Sequence, residues 1–224
     1  MKKIVVLLLS VIILCSLCAC KKENGTKIFV SISDDKIELA AEGISVPDAD
    51  KDGKLTVYDA LFAAHEEKFP GGAKAGLATE NTEYGISLTK LWGVENGTAY
   101  GYCVNDASAL SLADEIKEGD RVFAYTYQDT AGFSDTYAFF DTFSTEVSKD
   151  EKISLALMMN TFDENWNPLT LPLANAELTV NGAKTGIFTD ENGKAEITVT
   201  ESCVVSAECE GMVLAGPVCV VKVK

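Results

Sequence analysis

The residues best equipped for chemistry lie in "DADKDGKLTVYD", residues 48–59. Asp48, Asp50 and Asp52 alternate with other residues, Gly53 follows, and Asp59 closes the run. Carboxylates set this close repel one another unless a cation lies between them. Calcium is the cation that suits them. It takes about six to eight oxygens, and side chains at the first, third, fifth and twelfth positions of a loop, with a glycine at the sixth, converge on one centre. In that frame Lys54 offers its backbone carbonyl, Thr56 binds through a water, and Asp59 arrives from the first turn of a helix. Leu55 would pack inward. The predicted calcium ligands are therefore Asp48, Asp50, Asp52, Lys54, Thr56 and Asp59. A competing explanation covers two of them: Thr56-x-x-Asp59 also matches a helix capping box. It leaves Asp48, Asp50, Asp52 and Gly53 unexplained.

The elements that must hold this loop are readable on both sides. "KIFVSIS" and "KIELAAEGISV", within residues 27–46, alternate Val30 and Ile32, then Ile37 and Leu39, with polar neighbours, which predicts a β-hairpin. "TVYDALFAAHEEKF", residues 56–69, sets Val57, Leu61 and Ala64 at helical spacing, with Ala60 on the same face, and Pro70-Gly71-Gly72 stops it. The loop is thus entered from a strand and closed by Asp rather than Glu. In both respects it resembles dockerin-like calcium loops more than paired sensor EF-hands. A structural, constitutively filled site is expected, with a dissociation constant on the order of 10⁻⁵–10⁻⁴ M.

Further along, "YGISLTKLWG", "TAYGYCVND", "RVFAYTYQD", "DTYAFFDTF" and "KISLALMMNTF" read as strands. Hairpin, helix, then strands predicts an α+β fold of β-grasp type, one helix across a sheet, over residues 27–150. Residues 163–176, rich in Pro and Asn, read as a linker. Within it Asp163, Asn165 and Asn167 alternate, but Trp166 and Pro168 favour a turn over a second calcium loop. The C-terminal stretch has turn signals at Asn181-Gly182, Asn192-Gly193 and Gly211, which predicts a small all-β immunoglobulin-like sandwich in a 151–224 domain. Residues 143–160 are candidates to lend it strands.

The N-terminus reads as an address. Lys2 and Lys3 precede an apolar run from Ile4 to Leu14, as in a secretory signal peptide. Leu17-Cys18-Ala19-Cys20 resembles the bacterial lipobox, in which the last cysteine carries lipid. The expectation is a signal peptide over 1–19, lipidation at Cys20, and a polar tether over 20–26, placing the chain on the extracytoplasmic face of the cell membrane. Formal charge is -15, which argues against nucleic-acid partners and bare anionic lipid and favours cations. Four cysteines lie beyond the tether: Cys103, Cys203, Cys209 and Cys219. Each sits in an apolar strand-like run, which favours buried free thiols; Cys203 with Cys219 or Cys209 is the alternative bridge. His65, the single histidine, is expected to face solvent beside Glu66 and Glu67. Trp92, Tyr100, Tyr102, Tyr125 and Tyr127 read either as core or as an aromatic ligand surface.

"LTVYDALFAAHEEKF", then Trp92-Gly93, Tyr100-Gly101-Tyr102 and Val104-Asn105, then Ile116-Lys117-Glu118-Gly119-Asp120-Arg121-Val122, come in an order that resembles the DUF4430 family, related to the C-terminal β-domain of transcobalamin. The resemblance covers about residues 27–150. It implies a β-grasp fold and an extracellular binding module for a small molecule or a surface ligand. Transcobalamin relatives bind cobalamin between two domains, so a cobamide-like ligand is the one the resemblance suggests, although their α-helical domain has no counterpart in this sequence. No nucleophile elbow or acid/base pair stands out, so the chain reads as a binding module and not an enzyme. The alternatives are a calcium-stabilised adhesin or structural spacer and, last, a hydrolase using calcium structurally.

Overall fold

The computed structural model describes residues 25–83 and 85–224. The expected signal peptide, the expected lipidation site Cys20 and most of the expected tether fall outside them. Among the described residues the chain is mostly β, with two helices and several sheets, compatible with the expected α+β class. No helix among the described residues is long and apolar enough to cross a membrane.

The predicted hairpin is formed by β1 (Thr26–Ser33) and β2 (Ile37–Val46), paired antiparallel. Then come α1 (Val57–Lys68), a short α2 (Ala73–Gly76), and a separate hairpin of β3 (Ala78–Thr82) and β4 (Gly85–Lys90). β5 (Tyr100–Val104), β6 (Ala107–Ser108) and β7 (Arg121–Thr126) complete the first sheet, in the order β2-β1-β7-β5-β6. β7 runs parallel to β1, with Val30 opposite Val122. β1 is thus hydrogen-bonded on both edges and covered on both faces. Ile28, Val30 and Ile32 pack under α1 with Leu61 and Ala64, while Ser31 and Ser33, on the other face, are also buried. Burying a leucine such as Leu61 stabilises by about 1.5–3 kcal/mol. Alanines 60, 63 and 64 let the helix lie close to the sheet.

The remaining strands build two further sheets. β8 (Thr136–Phe140), β10 (Lys152–Phe162), β11 (Pro168–Pro172) and β16 (Leu214–Ala215) run in the order β11-β10-β8-β16, and β14 (Lys194–Thr198) also pairs with β10. β12 (Ala176–Val180), β13 (Ala183–Phe188), β15 (Cys203–Cys209), β17 (Cys219–Val223) and β9 (Ser144–Val147) form the other, ordered β13-β12-β15-β17-β9. Leu155, Leu157, Leu178, Val205 and Val221 fill the core between them. β9 and β10, from the 143–160 stretch, both pair with C-terminal strands.

The linker expected over 163–176 is instead a hairpin arm and the start of the next strand. β11 pairs with the far half of β10, Leu171 opposite Met159. Pro168 and Pro172 sit at its two ends, and as the outermost strand of its sheet β11 tolerates prolines that lack an N–H. Asp163 to Asn167 do make a turn, as expected: Asp163 Oδ1 accepts the N–H groups of Asn165 and Asn167, both at 2.8 Å.

The first sheet's outer face meets the C-terminal half. Cys103, Phe123 and Tyr125 from it pack with Tyr137, Ala215 and Val218. Asp106 ties the seam, taking an ion pair from Arg121 and a hydrogen bond from the Tyr137 hydroxyl, while Asn160 donates to its backbone carbonyl.

Candidate functional site: the acidic loop

The loop 48–59 leaves the end of β2 and enters α1, so its two anchors belong to one packed layer. Within it the chain curls around its own aspartates. Asp48 accepts N–H groups from Asp52 at 3.2 Å and Gly53 at 3.0 Å, and Asp52 accepts that of Lys54 at 2.8 Å. Lys51 and Gly53 both have positive φ, +63° and +88°. Glycine at the second of these makes the reversal cheap. The result brings carboxylate oxygens of Asp48, Asp50 and Asp52 within 4.8 Å of one another. Reduced hydration in the turn, followed by the charges of Asp52 and Asp59, pushes the Asp50 carboxyl above its ordinary value.

Asp59 is placed differently. It is fully buried, and its Oδ1 accepts the Ala49 N–H at 2.8 Å. Its Oδ2 accepts both the backbone N–H and the hydroxyl of Thr56, at 2.8 and 2.7 Å. The Asp59 N–H completes a capping box with Thr56 Oγ1 at 3.4 Å. So the capping explanation of Thr56 and Asp59 is realised, and Asp59 also ties the loop's second residue to the helix start. A carboxylate has about four lone-pair sites; three donors leave room for one further partner. Lys54, whose backbone carbonyl is the predicted ligand, sends its ammonium to Glu115 at 2.6 Å.

Leu55 packs against the core as expected. Its carbonyl accepts the Ile116 N–H at 2.8 Å, and Thr56 forms an isolated β-bridge with Glu115. Segment 112–116 also receives the N–H groups of Val57 and Tyr58 on the carbonyls of Asp114 and Leu112. A flat β-like brace therefore flanks the lone loop. The sequence reading missed Glu115 and this brace, which lie sixty residues downstream; Asp114, which caps its own turn by accepting the Leu110 N–H at 2.8 Å, was the available signal.

One expectation here needs correction. His65 does not face solvent; it is fully buried. Its Nδ1–H donates to the Leu61 carbonyl at 2.7 Å and its Nε2 accepts the Trp92 N–H at 3.0 Å. Burial lowers its pKa and keeps the ring neutral. Trp92 stacks edge-on with Phe69 and packs on the helix side. Tyr100 and Tyr102 also lie on that side, whereas Tyr125 and Tyr127 lie in the seam. Tyr100 and Tyr125 are buried and Tyr102 and Tyr127 half-buried, the two pairs on opposite faces of one sheet, so the four share no single surface. The four cysteines are free thiols; Cys103, Cys203 and Cys219 are buried. Burial pushes Cys103 and Cys219 up to about 12, so neither is a nucleophile.

No family model matches the chain. No curated protein matches it either.

Proposed function

We propose that this chain is a lipid-anchored, extracytoplasmic binding module whose N-terminal unit is a β-grasp domain braced by calcium. The observation that carries the reading is the convergence of Asp48, Asp50 and Asp52 in a turn curled by Gly53. The donor set is all oxygen, which suits a hard divalent cation. Three carboxylates would hold the ion, with the Lys54 carbonyl, Thr56 through water, and the spare lone pair of Asp59 as the remaining donors. Bound calcium would offset the reduced hydration and the repulsion that raise Asp50, and fasten the end of β2 to the start of α1. Because Asp59 is already committed to the helix cap, the loop is held in shape before any ion arrives, as a structural site requires.

The β-grasp assignment is supported by a helix packed across a sheet whose central pair, β1 and β7, is parallel and whose edge is a hairpin. It agrees with the resemblance to the DUF4430 family. The C-terminal pair of sheets is consistent with an immunoglobulin-like sandwich. Membrane attachment rests on the lipobox-like Leu17-Cys18-Ala19-Cys20 alone. A calcium-stabilised adhesin or spacer would share every one of these features.

The test is thermal unfolding of the purified chain across a calcium titration. At about one hundred times its dissociation constant a ligand stabilises by about 2.7 kcal/mol, and for a chain of this size each kcal/mol raises Tm by about 2–4 °C. That increment is expected in the native chain and absent in Asp48→Asn/Asp52→Asn. Identical melting with calcium and with chelator in the native chain would refute the calcium assignment.

A further inference from the structure

At the opposite end of β2 from the acidic loop lies a cleft of about 760 Å³. One wall is the β1–β2 turn and the start of β2; the other is β15, β16, the loop between them, and Thr179 with the β12–β13 turn. Residues as far apart as Ser33 and Gly216 meet there. A Cβ on Gly216 would fall 2.5 Å from Ile37 Cδ1, so the two halves lie in close contact at this edge. From Ala40, the last β2 residue lining the cleft, the strand runs roughly 20 Å further to Val46 before the loop begins. Small-molecule sites are typically clefts of about 300–1,000 Å³ between structural units, apolar with a few placed polar groups.

The lining has that character. Ile37 and Ala40 face Val204, Ala207, Met212 and Leu214 across it. Ser33 also lines it, is 1% exposed, and its hydroxyl has no hydrogen-bond partner. A buried hydroxyl without a partner costs free energy that a ligand's polar group would recover. The two residues after it, Asp34 and Asp35, are acidic and lack a cationic partner among the described residues; Asp34 accepts only the neutral Gln128 amide, at 3.1 Å. The other lining charges are already matched: Lys36 lies 3.4 Å from Glu38, and Glu208 lies 3.1 Å from Lys184. An apolar slot thus opens beside one unsatisfied hydroxyl and two unbalanced carboxylates, all on consecutive residues.

Resting on the reading of the chain as a binding module, we propose that this cleft is its ligand site and that it takes a small amphipathic organic cation. The apolar body lies between Ile37 and the Met212–Leu214 side. The ammonium or guanidinium head sits against Asp34 and Asp35, and the Ser33 hydroxyl, occluded in the free chain, turns to meet it.

Isothermal titration of the purified chain in calcium, with phenethylammonium as probe and 2-phenylethanol and phenylacetate as neutral and anionic matches, tests it. One saturable site is expected, tightest for the cation, and weakened about tenfold for it in Asp34→Asn/Asp35→Asn. Ser33→Ala is expected to fold at least as stably, having shed an unpaired hydroxyl, yet to bind the cation several-fold more weakly. Ser206→Phe, which puts a ring into the slot from a half-buried position on β15, is expected to block all three probes; an unaltered calcium-dependent Tm reports that it has folded. Cation binding unchanged in the cleft variants would overturn the site while leaving a binding module in place. No saturable binding of the cation would overturn the ligand class proposed, and the calcium response, read separately, would still stand or fall by itself.

Discussion

Two acidic turns of this chain look alike in sequence and behave in opposite ways. Residues 48–52 alternate three aspartates; residues 163–167 alternate Asp163, Asn165 and Asn167. In the second, one carboxylate receives two backbone N–H groups and, at 2.8 Å, the Asn167 side-chain amide. The amide and backbone donors hold Asp163 below its ordinary carboxylate range. In the first, backbone donors are shared among three carboxylates, and Asp50 is pushed up. Asparagine in place of two of the aspartates turns a loop that lacks a counter-charge into a self-sufficient turn. Alternation of Asx residues alone therefore says nothing about metal; the surplus of charge over donors does.

The largest effect is expected at Asp59, which belongs to the first turn but is spent on structure. Asp59→Ala strips the buried acceptor from the Ala49 and Thr56 N–H groups and from the Thr56 hydroxyl. Unsatisfied buried donors and a lost cap together should cost about 2–4 kcal/mol. Urea unfolding in chelator measures it. A loss seen only when calcium is present would make Asp59 a metal ligand before it is a cap, and would move it to the side of Asp48 and Asp52.

Much of the first turn was legible because its logic is local. Gly53, the alternating aspartates, the Thr56 cap and the Pro70-Gly71-Gly72 stop all act within a few residues of one another. What was not legible depends on distant partners. His65 is buried because Trp92, twenty-seven residues on, supplies the N–H that its Nε2 accepts; nothing beside Glu66 and Glu67 announces that. Tyr100 and Tyr125 alternate identically, yet the sheet has α1 on one face and the C-terminal half on the other, so the two rings part. Pro168 and Pro172 argued for a linker because prolines disfavour strands, and only β11's place at the sheet edge excuses them. The cleft joins Ser33 to Leu214 and has no signature in either segment.

An intermediate effect separates the two turns directly. Asp52→Ala should abolish the calcium-dependent rise in Tm, while its melting in chelator changes little. Asp163→Ala should lower Tm by the same small amount in calcium and in chelator, since its partners are the chain's own N–H groups. A calcium-dependent loss at Asp163 would erase the distinction drawn from donor counts.

The smallest effect is the most discriminating, because the two turns should tilt the acid limb of stability in opposite directions. Asp163 has a depressed pKa when folded, so its contribution is complete above the unfolded value of about 3.8 and is lost as pH falls through the folded pKa. Asp50 has a raised pKa, so folding is opposed above that value and the penalty fades as pH falls through it toward about 3.8. In chelator, Asp163→Asn should therefore flatten the loss of stability below about pH 3.8, and Asp50→Asn should steepen the net loss just above it by removing a compensating gain. Calcium should suppress the Asp50 effect alone, since a bound divalent ion competes with the proton for the same oxygens. Stability curves for the two variants against pH, with and without calcium, read this out. Parallel shifts of the same sign would mean that the carboxylates at 48–52 have donors enough, and that no surplus of charge is left for a cation to neutralise.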